Sequence, residues 1–315
     1  MRRIVTAAIA VALSLTGLFA SPALASGTTW LVQAGSAPAG PPIGGGNRFY
    51  PAAIAIHPGD SVAFTPIGAH TITFNRPPGP IFALLGPSGG TTVNAKTDVV
   101  HSGLIGAGPP PQPAFTVSFA STLPAGRYHF ICSLHVGMNE DIDVLPMSQA
   151  LPKTQAQYDA IAQGEIARDL DTLADLAAKA NKRDEDGPIV LAGAGDKRVS
   201  NLRFFPATIT VGVGQTVTFL KTKDPTEPHT VTFGTENPDP FIQLLPSGGN
   251  TFPNATGTAN SGLLVTHRQY RFYQLAGVLP PAVATYKVTF TAAGTYRYIC
   301  EIHDEIGMVG TVVVK

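Results

Sequence analysis

The segment AGTYRYICEIHDEIGM, Ala293–Met308, has a shorter counterpart in AGRYHFICSLHVGM, Ala125–Met138. Each run contains a cysteine, with a histidine three positions on, and ends in a methionine preceded by glycine; the spacings are C-x2-H-x4-M and C-x2-H-x2-M. Further matched blocks lie upstream in the same order. GDSVAF (Gly59–Phe64) pairs with GQTVTF (Gly214–Phe219), and HTITF (His70–Phe74) with HTVTF (His229–Phe233). LLGPSGG pairs with LLPSGG, and SGLI (Ser102–Ile105) with SGLL (Ser261–Leu264). Such order marks an internal duplication, the feature that governs architecture. The offset grows from 229 − 70 = 159 to 300 − 132 = 168, which the sequence reading assigns to a longer loop around His267–Pro281.

Within each copy, short runs rich in β-branched and aromatic residues alternate with Gly and Pro punctuation, which predicts strands. Several such strands in a copy of sandwich size predict two β-sandwiches. Between them, residues 153–182 have almost no Gly or Pro. Thr154 with Gln157 forms a capping-box pattern. Tyr158, Ile161, Ile166, Leu170, Leu173 and Ala177 recur at helical spacing, and Lys179, Lys182 and Arg183 suit a helix C-terminus. One connecting helix is predicted, its apolar stripe packed on a domain or available to a homo-oligomer. Arg2 and Arg3, the apolar run Ile4–Phe19 and Ala23-Leu24-Ala25 read as a signal peptide cleaved before Ser26, or as an uncleaved anchor. The expected layout is 1–25 signal peptide, 26–148 first domain, 149–187 linker and 188–315 second domain, exported to the periplasm or beyond the cell. No membrane span is expected after cleavage.

A formal net charge of zero and only 13% charged residues offer no basic surface for nucleic acid. Two cysteines in an exported chain would ordinarily pair, but Cys132 and Cys300 occupy equivalent positions of two separate copies. A different chemistry accounts for them. A distant His229 together with Cys300, His303 and Met308 supplies two imidazoles, a thiolate and a thioether, the ligand types of a type 1 (blue) copper site. Soft sulfur favours Cu(I) and imidazole suits Cu(II), so the set tolerates both states. Structural zinc sites rarely recruit methionine.

Both copies resemble cupredoxins, the second through a plastocyanin-like loop and the first through an amicyanin-like one. The resemblance covers nearly all of the mature chain except the helical linker. It implies an all-β fold of two tandem Greek-key sandwiches joined by a helix. It also implies two type 1 copper ions, held by His70, Cys132, His135 and Met138 and by His229, Cys300, His303 and Met308. Thr71 and Thr230 stand where those relatives have asparagine, which leaves the usual hydrogen bonding around the ligands open. His57, His101, His129 and His267 do not repeat and are read as surface or loop residues. No His-x-His pair is present, and Ile131 and Ile299 precede the cysteines. The expected function is therefore a non-catalytic electron carrier with an unidentified redox partner protein. Copper storage or delivery, or a two-domain copper oxidase or nitrite reductase, are the alternatives. Each Cys-x2-His loop lies at a strand-connecting end, so His135 and His303 are expected near the surface as entry points for electrons. The acidic Asp304 and Glu305 lead us to expect the lower potential at the second site.

Overall fold

A computed structural model describes residues 27–40, 43–77, 79, 84–107, 112–182, 187–274 and 282–315; the signal segment and Arg183 lie outside them. The duplication is visible strand for strand. One six-stranded sheet runs Ala53–Ile56, Asn139–Val144, Gly126–Ile131, Thr73–Phe74, Val100–His101, Ser88–Gly89. The other runs Thr208–Val211, Val309–Val314, Gly294–Ile299, Thr232–Phe233, Ala259–Ser261, Pro246–Gly248, in the same spatial order. Side chains alternate across the strands that lead to the cysteines. Tyr128 and Phe130 point into the first core and Tyr296 and Tyr298 into the second, while Arg127, His129, Thr295 and Arg297 point out.

The opposing sheets of the two sandwiches are one. Ten strands form a continuous sheet through both copies, joined where Gly44–Tyr50 of the first pairs antiparallel with Val199–Phe205 of the second. The partners are Gly44 with Asn201, Gly45 with Ser200 and Gly46 with Val199. Gly44 has φ +139° and a Cβ there would collide with the Ser200 carbonyl, so glycine permits the close approach. Merging the sheets removes two edges that would otherwise expose unpaired backbone groups.

The predicted helix spans Gln155–Asn181, with the Thr154/Gln157 capping box formed in both directions. It packs over the junction rather than on one domain, touching Gly44–Tyr50 as well as Ile189–Gly195 and Val199–Phe205. The buried face is Tyr158, Ala162, Asp169, Leu173 and Ala177. Ile161 is exposed and Ile166 and Leu170 only half-buried, so the stripe is rotated from the expected one. The reason is polar. Asp169, fully buried, accepts from the Tyr50 hydroxyl at 2.8 Å, pairs with Arg48 at 3.3 Å and faces Arg198 at 3.6 Å. Asn201 donates to the helix carbonyl of Leu173 at 2.9 Å. Residues of both sandwiches thus grip one helical carboxylate.

Asp169→Ala would leave the buried Tyr50 hydroxyl without its acceptor and Arg48 with Glu165 alone. The expected loss is about 3 kcal/mol, read as a lower urea midpoint at unchanged denaturant slope.

Candidate metal centres

Cys132 and Cys300 follow directly on the strands Gly126–Ile131 and Gly294–Ile299, and both are buried and free. The loop after each folds back on itself. Cys132 N–H donates to the Met138 carbonyl at 2.9 Å and Met138 N–H to His135 at 3.2 Å; in the longer loop Cys300 and Met308 form the same bond at 3.0 Å. Both methionines are fully buried, in the core that holds their cysteine. The upstream histidines arrive from a different direction, each bridged to the strand opposite, His70 to Ile105 and His229 to Leu264.

Two clusters result. In the first, His70 Nδ1 lies 3.0 Å from His135 Nδ1, which lies 3.4 Å from Cys132 Sγ. In the second, His229 Nδ1 lies 3.2 Å from His303 Nδ1, and Cys300 Sγ stands 3.8 and 3.4 Å from these nitrogens. Metal bonds of about 2.0–2.3 Å from one centre to nitrogen and sulfur place the donors about 3–4 Å apart. The donor set therefore fits a single first-row ion, and the mixture of thiolate with imidazole suits copper.

The threonines after the upstream histidines settle the hydrogen bonding that the missing asparagines left open. Thr71 N–H donates to Cys132 Sγ at 3.4 Å and Thr230 N–H to Cys300 Sγ at 3.3 Å. Their hydroxyls accept the backbone N–H of the residue after each cysteine, Ser133 at 2.7 Å and Glu301 at 2.8 Å. Behind the first cluster stand Thr73, Ser133 and His101. His101 is buried, contrary to its sequence reading, with Nδ1 2.8 Å from Thr73 Oγ1 and Nε2 2.8 Å from the Leu84 carbonyl. Behind the second, Asn260 occupies the place of His101 and donates to buried Glu301 at 2.5 Å.

The clusters differ most at their imidazoles. His70 Nε2 is 3.1 Å from the Ile67 carbonyl, whereas His229 Nε2 is 3.0 Å from the carboxylate of fully buried Asp224. Asp224 comes from an insertion. Phe219 − Phe64 gives an offset of 155 and His229 − His70 gives 159, so the second copy has four extra residues before its histidine. The insertion also carries Glu227. Its Oε1 lies 3.0 Å from His135 Nε2 of the first cluster and its Oε2 lies 3.7 Å from His303 Nε2 of the second. The length mismatch was legible in the sequence; what its carboxylates face was not.

His135 and His303 are consequently not surface ports. His135 is 4% exposed, and the His303 side chain 13% exposed. The stretch expected to be a loop contains a helix, His267–Gln274, whose Tyr273 hydroxyl donates to the Leu134 carbonyl at 2.8 Å. Phe272 of that helix lies beneath the Arg76 guanidinium, 5.0 Å from ring centre to Cζ. Val136, next to His135 in the same loop, is buried too. Thr266 and Gln269 cap this helix reciprocally, at 2.8 and 3.3 Å, a T-x-x-Q signal present in the sequence.

Without metal, protons take up the electrostatics of each cluster. Burial alone would raise the Cys132 thiol, but His135 and His70 hold it well below its usual range. Burial would lower His135, yet Glu227 and the Cys132 thiolate hold it well above. Glu227 is correspondingly brought down to about 2, against its burial, chiefly by His135. In the second cluster burial dominates, pushing Cys300 up to about 12 and His303 down to about 3.

Two sandwiches, each closing a His–Cys–His cluster beside a buried methionine, have the fold and donor set of the cupredoxin class. Within that class, residues 191–315 match the family of copper binding proteins, plastocyanin/azurin family. The chain is 31% identical over 114 residues to the chloroplastic plastocyanin of Chlamydomonas reinhardtii, covering 36% of this chain and 59% of that protein's length. It is 29% identical over 114 residues to the plastocyanin of Scenedesmus fuscus, covering 36% and 88%. Among solved structures it is similar to the oxidised plastocyanin of Dryopteris crassirhizoma (21% identity, 40% of this chain and 99% of that one, TM-score 0.25). A purple cupredoxin from Nitrosopumilus maritimus aligns at 20% identity over 41% and 100%, with TM-score 0.24. No helix among the described residues is long and apolar enough to cross a membrane.

Gly35 and Gly193 adopt φ +82° and +80°, and a Cβ at either would collide with the Nε2 of His70 or His229. Gly193→Ala is expected to displace His229 and abolish metal uptake at the second cluster alone. A copper titration of the purified variant should find one tightly held ion; two would contradict the assignment.

Proposed function

We propose that this chain is an exported electron carrier with two type 1 copper centres, one in each sandwich. His70, Cys132, His135 and Met138 hold the first ion, and His229, Cys300, His303 and Met308 the second. The observation that carries the reading is the repeated convergence of two imidazole Nδ1 atoms on a buried cysteine sulfur, in a cupredoxin whose second half matches a copper-binding family. Bound copper would supply a one-electron Cu(II)/Cu(I) couple.

The chain's own residues supply the rest. The Thr71 and Thr230 amides hold each sulfur in place and favour its thiolate. The loop bonds from Cys132 to Met138 and from Cys300 to Met308 fix the ring positions of the downstream histidines. Burial keeps water out of both clusters, so little surrounding structure has to rearrange when charge changes. The purified mature protein is expected to hold two coppers and to absorb strongly in the visible through thiolate-to-Cu(II) charge transfer. Cys132→Ala and Cys300→Ala should each retain one copper. A colourless chain after Cu(II) loading, with both thiols free to react, would overturn the proposal.

The two centres are not equivalent. A carboxylate hydrogen-bonded to a ligating histidine raises its basicity, which favours Cu(II). Asp224 does this for His229, where His70 has only a carbonyl, while Glu227 faces one imidazole of each centre, so the second centre has one carboxylate more. The second centre is therefore expected to have the lower midpoint potential. Asp224→Asn, measured in the Cys132→Ala background by redox titration, should raise that potential; no change would remove Asp224 from this role.

A further inference from the structure

The two clusters meet at one side chain. His135 and His303 each turn Nδ1 towards their own cysteine and Nε2 towards the same carboxylate, that of Glu227. Glu227 is built into place. Asp224 Oδ1 accepts from the backbone N–H groups of Thr226 and Glu227, both at 3.2 Å, and from the Ser200 hydroxyl. Lys221 donates to the Asp224 carbonyl. Asn47 of the first sandwich donates to the Thr226 hydroxyl at 3.1 Å. The turn is thus pinned from both halves, and Glu227 is itself buried.

From Nδ1 of His135 to Nδ1 of His303, the route runs through one imidazole ring, the carboxylate and the second ring. Only two steps are not covalent, one of 3.0 Å and one of 3.7 Å. Electron tunnelling decays less steeply through bonds and short hydrogen bonds than through open space. The 3.0 Å contact to His135 is a charge-assisted hydrogen bond, and the 3.7 Å contact to His303 is a longer electrostatic one that a small side-chain rotation would close. The shared sheet and the helix across the junction hold the geometry without any domain movement.

We propose that Glu227 is the internal electron link of this protein: it joins His135 to His303, so that the two centres exchange an electron within one chain. The step balances by itself. Copper held by one ligand set would lose the electron that copper held by the other gains, and no proton need leave the carboxylate or either ring. An electron entering at either centre would reach the other, although His135 is closed to an outside partner and His303 is only slightly exposed.

This inference rests on the proposed copper reading, and copper content separates the two. A wild-type chain holding fewer than two coppers overturns the proposed function. With two coppers counted in wild type, Glu227→Gln and Glu227→Ala, one electron is injected with a pulse-generated methyl viologen radical. Absorbance is followed where the Cys132→Ala and Cys300→Ala spectra differ. Wild type is expected to show a redistribution phase whose rate is independent of protein concentration. Glu227→Ala should lose that phase and Glu227→Gln, which keeps shape but not charge, should slow it. A static readout accompanies it: removing the carboxylate charge in Glu227→Gln should shift both midpoint potentials upward. A purely structural clamp would change neither in the isosteric variant. The link is overturned if both variants redistribute as fast as wild type, or if wild type redistributes only by collisions between molecules.

Discussion

The antiparallel pairing of Gly44–Gly46 with Val199–Asn201 is the constraint on which the rest depends. It makes one sheet of two, and so fixes the rotation of each sandwich relative to the other. In that rotation the loop ends turn towards each other instead of towards solvent. Everything distinctive about the clusters follows: the burial of His135, the contact of Tyr273 with Leu134, and the reach of Glu227 from the second sandwich to the first. The helix Gln155–Asn181 reinforces the same joint by offering one buried carboxylate, Asp169, to Arg48 and Tyr50 on one side and Arg198 on the other.

Duplication supplied two equal sandwiches, and the departures from equality are concentrated where the clusters face each other. The first upstream histidine is reached by a five-residue connection, Thr65 to Ala69, and held by a main-chain carbonyl. The second is preceded by nine residues, Leu220 to Pro228, that carry Lys221, Asp224 and Glu227. These charges are buried, which is costly unless each is paired. They are paired: Lys221 with Asp224, Asp224 with His229, and Glu227 with His135. A buried, mutually satisfied network of this kind is specific in direction rather than a simple source of stability. What it specifies here is which imidazole nitrogen faces the cluster and which faces the neighbouring sandwich.

Much of this was legible in the residues. The repeated Cys-x2-His-Met spacing, the upstream histidines and the Gly- and Pro-punctuated strands are local patterns, and local patterns survive into structure when backbone period and side-chain chemistry agree. The capping box at Thr154 did so too. The helix face was misread because its buried stripe includes an acid. Hydrophobic periodicity cannot anticipate that Asp169 turns inward to meet cations from other elements. His101 was misread for a related reason, since its partners Thr73 and Leu84 come close only when the strands align. The helix His267–Gln274 was missed although Thr266 and Gln269 announced it, because a short polar helix has no apolar stripe to detect.

By itself, then, the sequence determined two β-sandwiches, the eight candidate ligands and the helix that connects the copies, because each is written in short-range spacing and residue type. The merging of the sheets, the burial of His135 and His303, and the bridging position of Glu227 were decided only by the tertiary structure. They depend on strand edges and loop ends more than 70 residues apart in the chain, 303 − 227 = 76 and 227 − 135 = 92 for the two contacts of Glu227, and no local pattern records which surfaces will meet.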